Sequence, residues 1–315
     1  MQYNILMPLR HLILVLYIGC LLSIGVTNAA HLNLNDADMA YDKGEFMQAI
    51  DMYKPLAEQG NATAQNNLGV MYDQGEGVIQ NYQEALKWFR LSAIQGDVEA
   101  QNNLGVMYDQ GRGITKDYQE ALKWYRLSAA QGNATAQNNL GVMYAKSKGV
   151  VQDYQEALKW YRLSAAQENA EAQNNLGVMY DKGRGVISDY QEALKWYRLS
   201  ATQGNATAQN NLGVKYDKGE GVTRSDREAL RWFRLAARQG VAWAQHTLGV
   251  MYQSGSGVEQ NYIRAHIWLS LSAESGYEDA RVGLDTLTKL MAPQQIKEAR
   301  KLARECRIQQ LKKCD

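Results

Sequence analysis

The sequence has little proline, little cysteine and almost no net charge. Its 315 residues include 3 Pro and 3 Cys, and 34 Lys and Arg balance 33 Asp and Glu. The balanced charge argues against nucleic-acid binding, which requires a basic face to neutralise phosphates. Scarce Pro, plentiful Tyr and Trp, and regularly recurring Gly are typical of a helical protein with tight turns and not of a disordered chain.

The sequence also lacks a catalytic or metal-binding constellation. No Ser-His-Asp set, pair of catalytic carboxylates or Cys/His cluster stands out, and the recurring Asp and Glu occupy capping and surface positions. His246 and His266 lie in neighbouring helical segments, but no third ligand accompanies them. The sequence therefore predicts no metal, no cofactor and no enzymatic activity.

The only long apolar run is at the N-terminus. Arg10 precedes a mainly apolar stretch over residues 12–26, and the small residues 27–30 follow. This order predicts a secretory signal peptide over residues 1–30. The run is short for a membrane-spanning helix, which needs about 20 apolar residues, so a retained anchor is the less favoured alternative. The mature chain is then expected to be exported, periplasmic or secreted, without a membrane span.

Cleavage of this signal would remove Cys20 and leave two cysteines, Cys306 and Cys314. An even number of cysteines in an exported chain suggests a disulfide. Eight residues of continuous helix would hold the two about 12 Å apart, whereas a disulfide requires Cα atoms within about 7 Å. Either the last helix ends near Ile308 and the tail folds back to form the bond, which we favour, or both thiols stay free.

The phrase QNNLGVMYD begins at residue 65 and returns, lightly edited, at intervals of 36 residues to give six copies. Each copy contains two segments of helical periodicity, one carrying Ala64 and Leu68 and the other Trp88 and Phe89. Gly69 lies beside the first apolar stripe, where its missing side chain lets another helix approach. A bulky row that faces a small row predicts two packed antiparallel helices in every copy.

The residues between these segments are typical of helix ends. Asn or Asp stands where the first helix should begin, and an Asn, Asp or Ser followed three residues later by Glu predicts a capping box at the start of most second helices. Gly75 and Gly96 and their equivalents are placed to end the two helices. In the third copy, Ser147 and Glu168 replace these glycines, and each replacement is expected to cost up to about 1 kcal/mol. The third copy is therefore predicted to be the softest.

Taken together, Ala-x-x-x-Leu-Gly-x-x-Tyr, Gly-x-Gly-Val, an acidic cap, Glu-Ala-Leu-Lys-Trp-Tyr and a closing Gln-Gly resemble the Sel1-like repeat, a relative of the tetratricopeptide repeat. The resemblance covers about Ala37 to Gly276. It implies an all-α fold, a right-handed α/α superhelix (solenoid) that acts as an adaptor or scaffold, and it does not imply an enzyme. The expected organisation is a short tetratricopeptide-like repeat over residues 31–60, six repeats over 61–276, and capping helices over 277–315.

The resemblance also predicts where a partner would bind. In the tetratricopeptide arrangement the first helix of each repeat lines the concave face, and its positions outside the core stripe are available to a ligand. An Asn side chain can both donate to and accept from a peptide backbone, and a row of Asp would favour a basic partner. The predicted rows are Asn66, Asn102, Asn138, Asn174 and Asn210; Val70, Val106, Val142, Val178 and Val214; and Asp73, Asp109, Asp181 and Asp217. The alternatives are that these are ordinary solvated residues of recent duplicates, or that a partner binds the caps or the convex edge.

The sequence thus predicts a monomeric protein-binding scaffold of the bacterial cell envelope. One alternative is a hydrolase, or an activator of one, that is associated with the peptidoglycan cell wall. Another is a secreted effector that acts in a host. The partner itself is not predicted.

Overall fold

The computed structural model describes residues 33–309, Leu311 and Cys314. The predicted signal peptide and Cys20 lie outside the described residues. Within residues 33–309 the chain folds into sixteen α-helices without a β-strand, which confirms the predicted all-α class. None of the helices in this described part is long and apolar enough to cross a membrane.

The helices belong to two compact units, one ending at Lys116 and the other beginning at Asp117. The first unit contains α1 (Leu34–Asp42), α2 (Phe46–Glu58), α3 (Ala62–Gln74), α4 (Tyr82–Ile94) and α5 (Val98–Gln110). The second contains α6 (Tyr118–Ala130), α7 (Ala134–Ala145), α8 (Tyr154–Ala166), α9 (Ala170–Lys182), α10 (Tyr190–Thr202), α11 (Ala206–Lys218), α12 (Asp226–Arg238), α13 (Ala242–Ser254), α14 (Tyr262–Glu274), α15 (Glu278–Thr288) and α16 (Pro293–Ile308).

Within each unit the two helices of a repeat pack directly on each other, as the two apolar stripes predict. In the second unit, Leu140 of α7 and Tyr161 of α8 are buried in such a pair. A Cβ atom on Gly141 would lie 2.5 Å from the Tyr161 ring. The glycine is therefore required because the aromatic ring occupies the space that any side chain would need.

The ends of the helices are capped by the predicted residues, with one difference. Asp153 accepts from the backbone N–H groups of Gln155 and Glu156 at 2.9 and 3.0 Å. In a capping box the Glu side chain would accept a hydrogen bond from the backbone N–H of the cap residue. Here the N–H of Asp153 donates instead to the carbonyl of Tyr144 at 3.1 Å, so the Glu156 carboxylate pairs with Lys159 at 3.1 Å.

Each loop within a repeat is attached to the preceding repeat. In the second unit, Gln155 at the start of α8 donates to the carbonyl of Gly185, in the loop that follows α9, at 2.6 Å. Further along α8, Arg162 donates to the Tyr180 hydroxyl at 2.9 Å. The loop glycine therefore lies at the junction between neighbouring repeats, and it recurs at the 36-residue interval of the copies.

Ser147 and Glu168 adopt the left-handed backbone conformation that their glycine equivalents adopt. Their φ angles are +55° and +64°, a region that disfavours side chains other than glycine. Replacing Glu168 by Gly is therefore expected to raise the free energy of unfolding by about 0.5–1 kcal/mol, and Ser147→Gly should act in the same direction. Urea unfolding checks both variants. Glu168→Ala is the control, because an equal gain from Ala would show that the backbone conformation is not the cause.

The C-terminal helices close the second unit. Helices α15 and α16 both pack on α14, and Arg307 of α16 pairs with Glu274 of α14 at 3.0 Å. Helix α16 ends at Ile308, and the structure joins Cys306 to Cys314 by a disulfide with the Cα atoms 5.0 Å apart. The tail therefore folds back on the helix that precedes it.

Candidate protein-binding face

The first helix of each repeat, here called helix A, lies directly beside the helix A of the next repeat. In the second unit Asn175 of α9 donates to Asn138 of α7 at 2.9 Å, and Asn211 of α11 donates to Asn174 of α9 at 3.0 Å. In the first unit Asn103 of α5 donates to Asn66 of α3 at 3.1 Å. Amide pairs therefore connect the A helices within each unit.

These contacts bury most of the predicted Asn row. Four of its five members are less than a tenth exposed, and Asn210 is half-buried. The expectation that these side chains lie open is wrong for the four buried members, Asn66, Asn102, Asn138 and Asn174. Whether the row takes part in binding stays a prediction.

The geometry of one helix does not reveal this burial. Successive residues of an α-helix are rotated by about 100°, so Asn66 and Val70 both point away from the core residue Leu68. Because Asn66 and Val70 are four residues apart, they lie on the same side of the helix. The neighbouring helix A covers Asn66 almost completely and leaves Val70 partly exposed. The relevant contact lies between repeats and is absent from a helical wheel drawn for one copy.

The open stripe of helix A contains the next Asn instead. Asn67, Val70 and Gln74 are spaced by three and four residues and all are at least partly exposed. We call the corresponding surface of each unit its helix-A face. It comprises Asn67, Asn103, Val70 and Val106 in the first unit and Asn139, Asn175, Asn211, Val142, Val178 and Val214 in the second. Thr63, which is exposed, shares this stripe with Val70.

The predicted Asp row is not a uniform acidic surface. Asp73 pairs with Arg112 at 2.9 Å in the first unit. Asp181 is almost fully buried and pairs with Lys215 and Lys182. Asp109 is half-buried and Asp217 is exposed. The carboxylates therefore serve the junctions between repeats to different degrees.

Lys215 is the most unusual residue of these junctions. It is only 3% exposed and stands on α11 where the other copies have Met. Its ammonium group contacts the carboxylates of Asp181 and Glu220, the latter at 2.6 Å, and lies 4.7 Å from the centre of the Tyr190 ring. Burial by itself lowers the pKa of Lys215, but the two carboxylates outweigh it and the pKa is raised above its usual value.

The residue five positions later explains why a lysine is buried here. In the second, third and fourth copies this position carries a cation, Arg112, Lys148 or Arg184, but the fifth carries Glu220. In the first unit the cation at this position reaches the Asp of the preceding repeat, since Arg112 pairs with Asp73. The same geometry in the second unit places Glu220 near Asp181. Lys215 therefore supplies the positive charge that the loop residue does not.

The described residues contain no group of three His, Cys, Asp or Glu side chains arranged to hold a metal ion. What they present is a set of stacked two-helix repeats with polar junctions and a partly exposed strip of Val and Asn. These features define a helical-repeat protein of the α-solenoid class.

The chain belongs to the Sel1 repeat family. The model of the Sel1 repeat matches residues 62–97, 98–133, 134–169, 170–205, 206–241 and 244–277. These matches confirm the predicted resemblance and cover more than half of the chain. No curated protein matches the sequence.

Two solved structures are similar over most of the chain. A Sel1 repeat protein from Oxalobacter formigenes is 34% identical with a TM-score of 0.73, and the match covers 77% of this chain and all of that one. The protein c5321, described as a protective antigen of uropathogenic Escherichia coli strains, is 33% identical with a TM-score of 0.67. That match covers 87% of this chain and 64% of c5321. Proteins with this fold commonly serve as protein-interaction scaffolds.

Proposed function

We propose that the protein is a scaffold that binds another protein along its helix-A face. The observation that carries the proposal is the strip of partly exposed Val flanked by Asn amides on consecutive A helices, for example Val178 and Val214 beside Asn175 and Asn211 in the second unit. Apolar side chains supply the burial that binding requires, and amides satisfy the polar groups of a partner's backbone.

The amide pairs between A helices support this role. Because Asn174 accepts from Asn211, the second amide of the repeat is held in a fixed orientation at the edge of the strip. A surface whose polar groups are already positioned loses less conformational entropy on binding. The buried Asn row would thus support the binding surface without touching the partner.

We further propose that the scaffold works in the bacterial cell envelope. The support is the N-terminal sequence, whose order of charge, apolar run and small residues is that of a signal peptide. A disulfide between Cys306 and Cys314 suits an oxidising compartment such as the periplasm.

The test is capture of the partner by crosslinking in the native envelope. The bait is the mature chain, compared with a variant in which Val142, Val178 and Val214 are all replaced by Glu. These side chains are partly exposed but also pack in part against the core clusters, so circular dichroism and urea unfolding check that the variant folds. We expect a protein that is recovered with the native chain and lost with this variant.

The matched control places the same charges on the opposite helices. Leu127, Leu163 and Leu199 recur at the same 36-residue spacing on the second helices of the repeats and are 43–45% exposed. Replacing these three by Glu should leave capture intact. Loss of the partner with this control alone would move the binding site to the second helices and overturn the proposed face. Recovery of glycan fragments without any protein would favour the cell-wall alternative.

A further inference from the structure

A pocket of the first unit has the chemistry of a cation site. Helices α1, α2 and α3 enclose a cavity of about 390 Å³ at the junction between the short first repeat and the next one. Its walls are Asp38, Tyr41, Asp42, Tyr53, Asn67 and Val70. Because Asn67 and Val70 belong to the helix-A face, the cavity opens at the end of the proposed binding strip.

Two carboxylates, Asp38 in the cavity wall and Glu76 beside the wall residue Tyr41, are held by neutral donors. Asp38 accepts from the Tyr53 hydroxyl at 2.6 Å and from the Asn67 amide at 3.2 Å. Glu76 accepts from the Tyr41 hydroxyl at 2.7 Å. In the part of the chain that the structure describes, no Lys or Arg pairs with Asp38, Asp42 or Glu76. The pocket therefore keeps its negative charge.

The second unit contains the equivalent pocket with a cation already in it. In the repeat register, Asp42 corresponds to Asp181, Tyr53 to Tyr197, and Glu76 to Glu220, while Asn67 and Val70 correspond to Asn211 and Val214. These equivalents of the second unit line a smaller cavity of about 180 Å³. The ammonium group of Lys215 lies between Asp181 and Glu220 there. The first unit has the apolar Met71 at the position of Lys215.

The next junction of the first unit shows the other way in which the chain neutralises such a site. There Arg112 replaces the Glu, and it reaches Asp73 at 2.9 Å. One junction is therefore neutralised by an arginine from the loop and another by a lysine from helix A. The pocket around Asp42 has carboxylates at both positions, the exposed Asp42 and the partly exposed Glu76, and neither internal cation.

We propose that this pocket binds the side chain of a lysine from the partner protein. The ammonium group would take the place between Asp42 and Glu76 that Lys215 takes between Asp181 and Glu220. The methylene chain would lie against Val70 and the rings of Tyr41 and Tyr53, which also attract a cation. The inference rests on the proposed binding of a protein, and it names one side chain that the partner presents.

A titration of the full mature chain with N-acetyl-lysine methylamide tests the pocket directly. Methyl NMR of labelled methionines gives the signal, because Met71 occupies the position equivalent to Lys215 and is buried in the same hydrophobic cluster as Tyr53, which lines the pocket. We expect a saturable shift of the Met71 resonance and none of Met179, which has Ala145 and Arg184 in place of the two carboxylates. The norleucine analogue, which lacks the ammonium group, should produce no such shift.

The variant Asp42→Asn with Glu76→Gln keeps the shape of the pocket and removes two charges. Its affinity for the lysine probe should fall by about tenfold or more, as expected for the loss of charged hydrogen bonds. An equal shift with norleucine, or an unchanged affinity in this variant, would show that the carboxylates do not bind the probe and would overturn the proposal.

A matched pair of substitutions gives a second test that needs no ligand. Met71→Lys supplies the missing cation from within, so the variant should unfold near the temperature of the native chain. Met179→Lys also buries an ammonium group, but Ala145 and Arg184 stand there in place of the two carboxylates. The melting temperature of this variant should therefore fall by far more than that of Met71→Lys. Equal losses in the two variants would contradict the assignment of an ammonium site.

These results separate the pocket from the wider proposal. Loss of partner capture with the Val variants, together with no response to lysine, would leave the scaffold standing and remove the lysine pocket. A lysine response with unaffected capture in the Val variants would keep the pocket as an ammonium site and remove the helix-A face as the binding surface.

Discussion

Replacing Lys215 by Met is expected to lower the free energy of unfolding by about 3 kcal/mol, although Met is the residue that the other copies carry at this position. Removing one partner of a buried ion pair typically costs about 3–5 kcal/mol, because the remaining charge is left without compensation. Here the substitution would leave Asp181 and Glu220 facing each other in a site where Lys215 is 3% exposed. We expect the lower end of the range because Lys182 also contacts Asp181, at 3.3 Å.

The second substitution Glu220→Arg should recover most of this loss. With Met at 215 and Arg at 220 the junction would have the residues of the first unit, where Met107 is buried and Arg112 pairs with Asp73. Urea unfolding of the native chain, both single variants and the double variant measures the coupling between the two positions. Lys218→Met, which removes an exposed charge one turn away, is the control and should change stability little.

Either contrary outcome is informative. If Lys215→Met is as stable as the native chain, burying the ion pair costs as much as the attraction returns, as in some other buried pairs. If the single variant is destabilised but Glu220→Arg does not restore it, the loop cation does not replace the helix cation. The hypothesis that a lysine on helix A and an arginine in the loop can replace each other at a junction would then be wrong.

Much of the fold could be predicted because its determinants are local. Helical periodicity, the caps at residues such as Asp153, and the glycine at Gly141 each act within a few residues or within one helix pair. The repetition of these signals at a fixed interval then requires equivalent junctions. The reciprocal bond of the capping box does not form, because the carbonyl of Tyr144, near the end of α7, accepts from the N–H of Asp153.

The candidate face could be predicted only in part, because its exposure is decided between repeats. Asn174 is buried, whereas the adjacent Asn175 is partly exposed. This difference in exposure comes from the next helix A, whose Asn211 donates to Asn174. The sequence does show that the fifth copy carries Lys215 where the other copies carry Met, and Glu220 where the second and fourth copies carry Arg. That these changes compensate each other through Asp181 requires the distance between repeats, which no single copy contains.

The loop glycines provide the second large effect, since they decide whether neighbouring repeats can join. Gly185→Ala is expected to lower the free energy of unfolding by about 3 kcal/mol. At φ +69° the new side chain would be in the left-handed region, which costs about 1 kcal/mol or more. Its Cβ would also lie 2.7 Å from the carbonyl oxygen of Tyr154. This neighbour is backbone at the start of α8 and cannot rotate away, so overpacking adds about 1–3 kcal/mol.

Gly204→Ala separates the two causes. Gly204 also has a positive φ, +92°, but a Cβ there would have no heavy atom within 4 Å. The loss at this position should therefore be about 1 kcal/mol, from backbone conformation alone. Unfolding in urea compares the two variants, and hydrogen exchange should show the extra loss at Gly185 as faster exchange in α8 and α9. Equal losses at the two glycines would mean that the junction tolerates an added methyl group. The interval of 36 residues would then depend on the packing of the helices and not on the close approach of Gly185 to Tyr154.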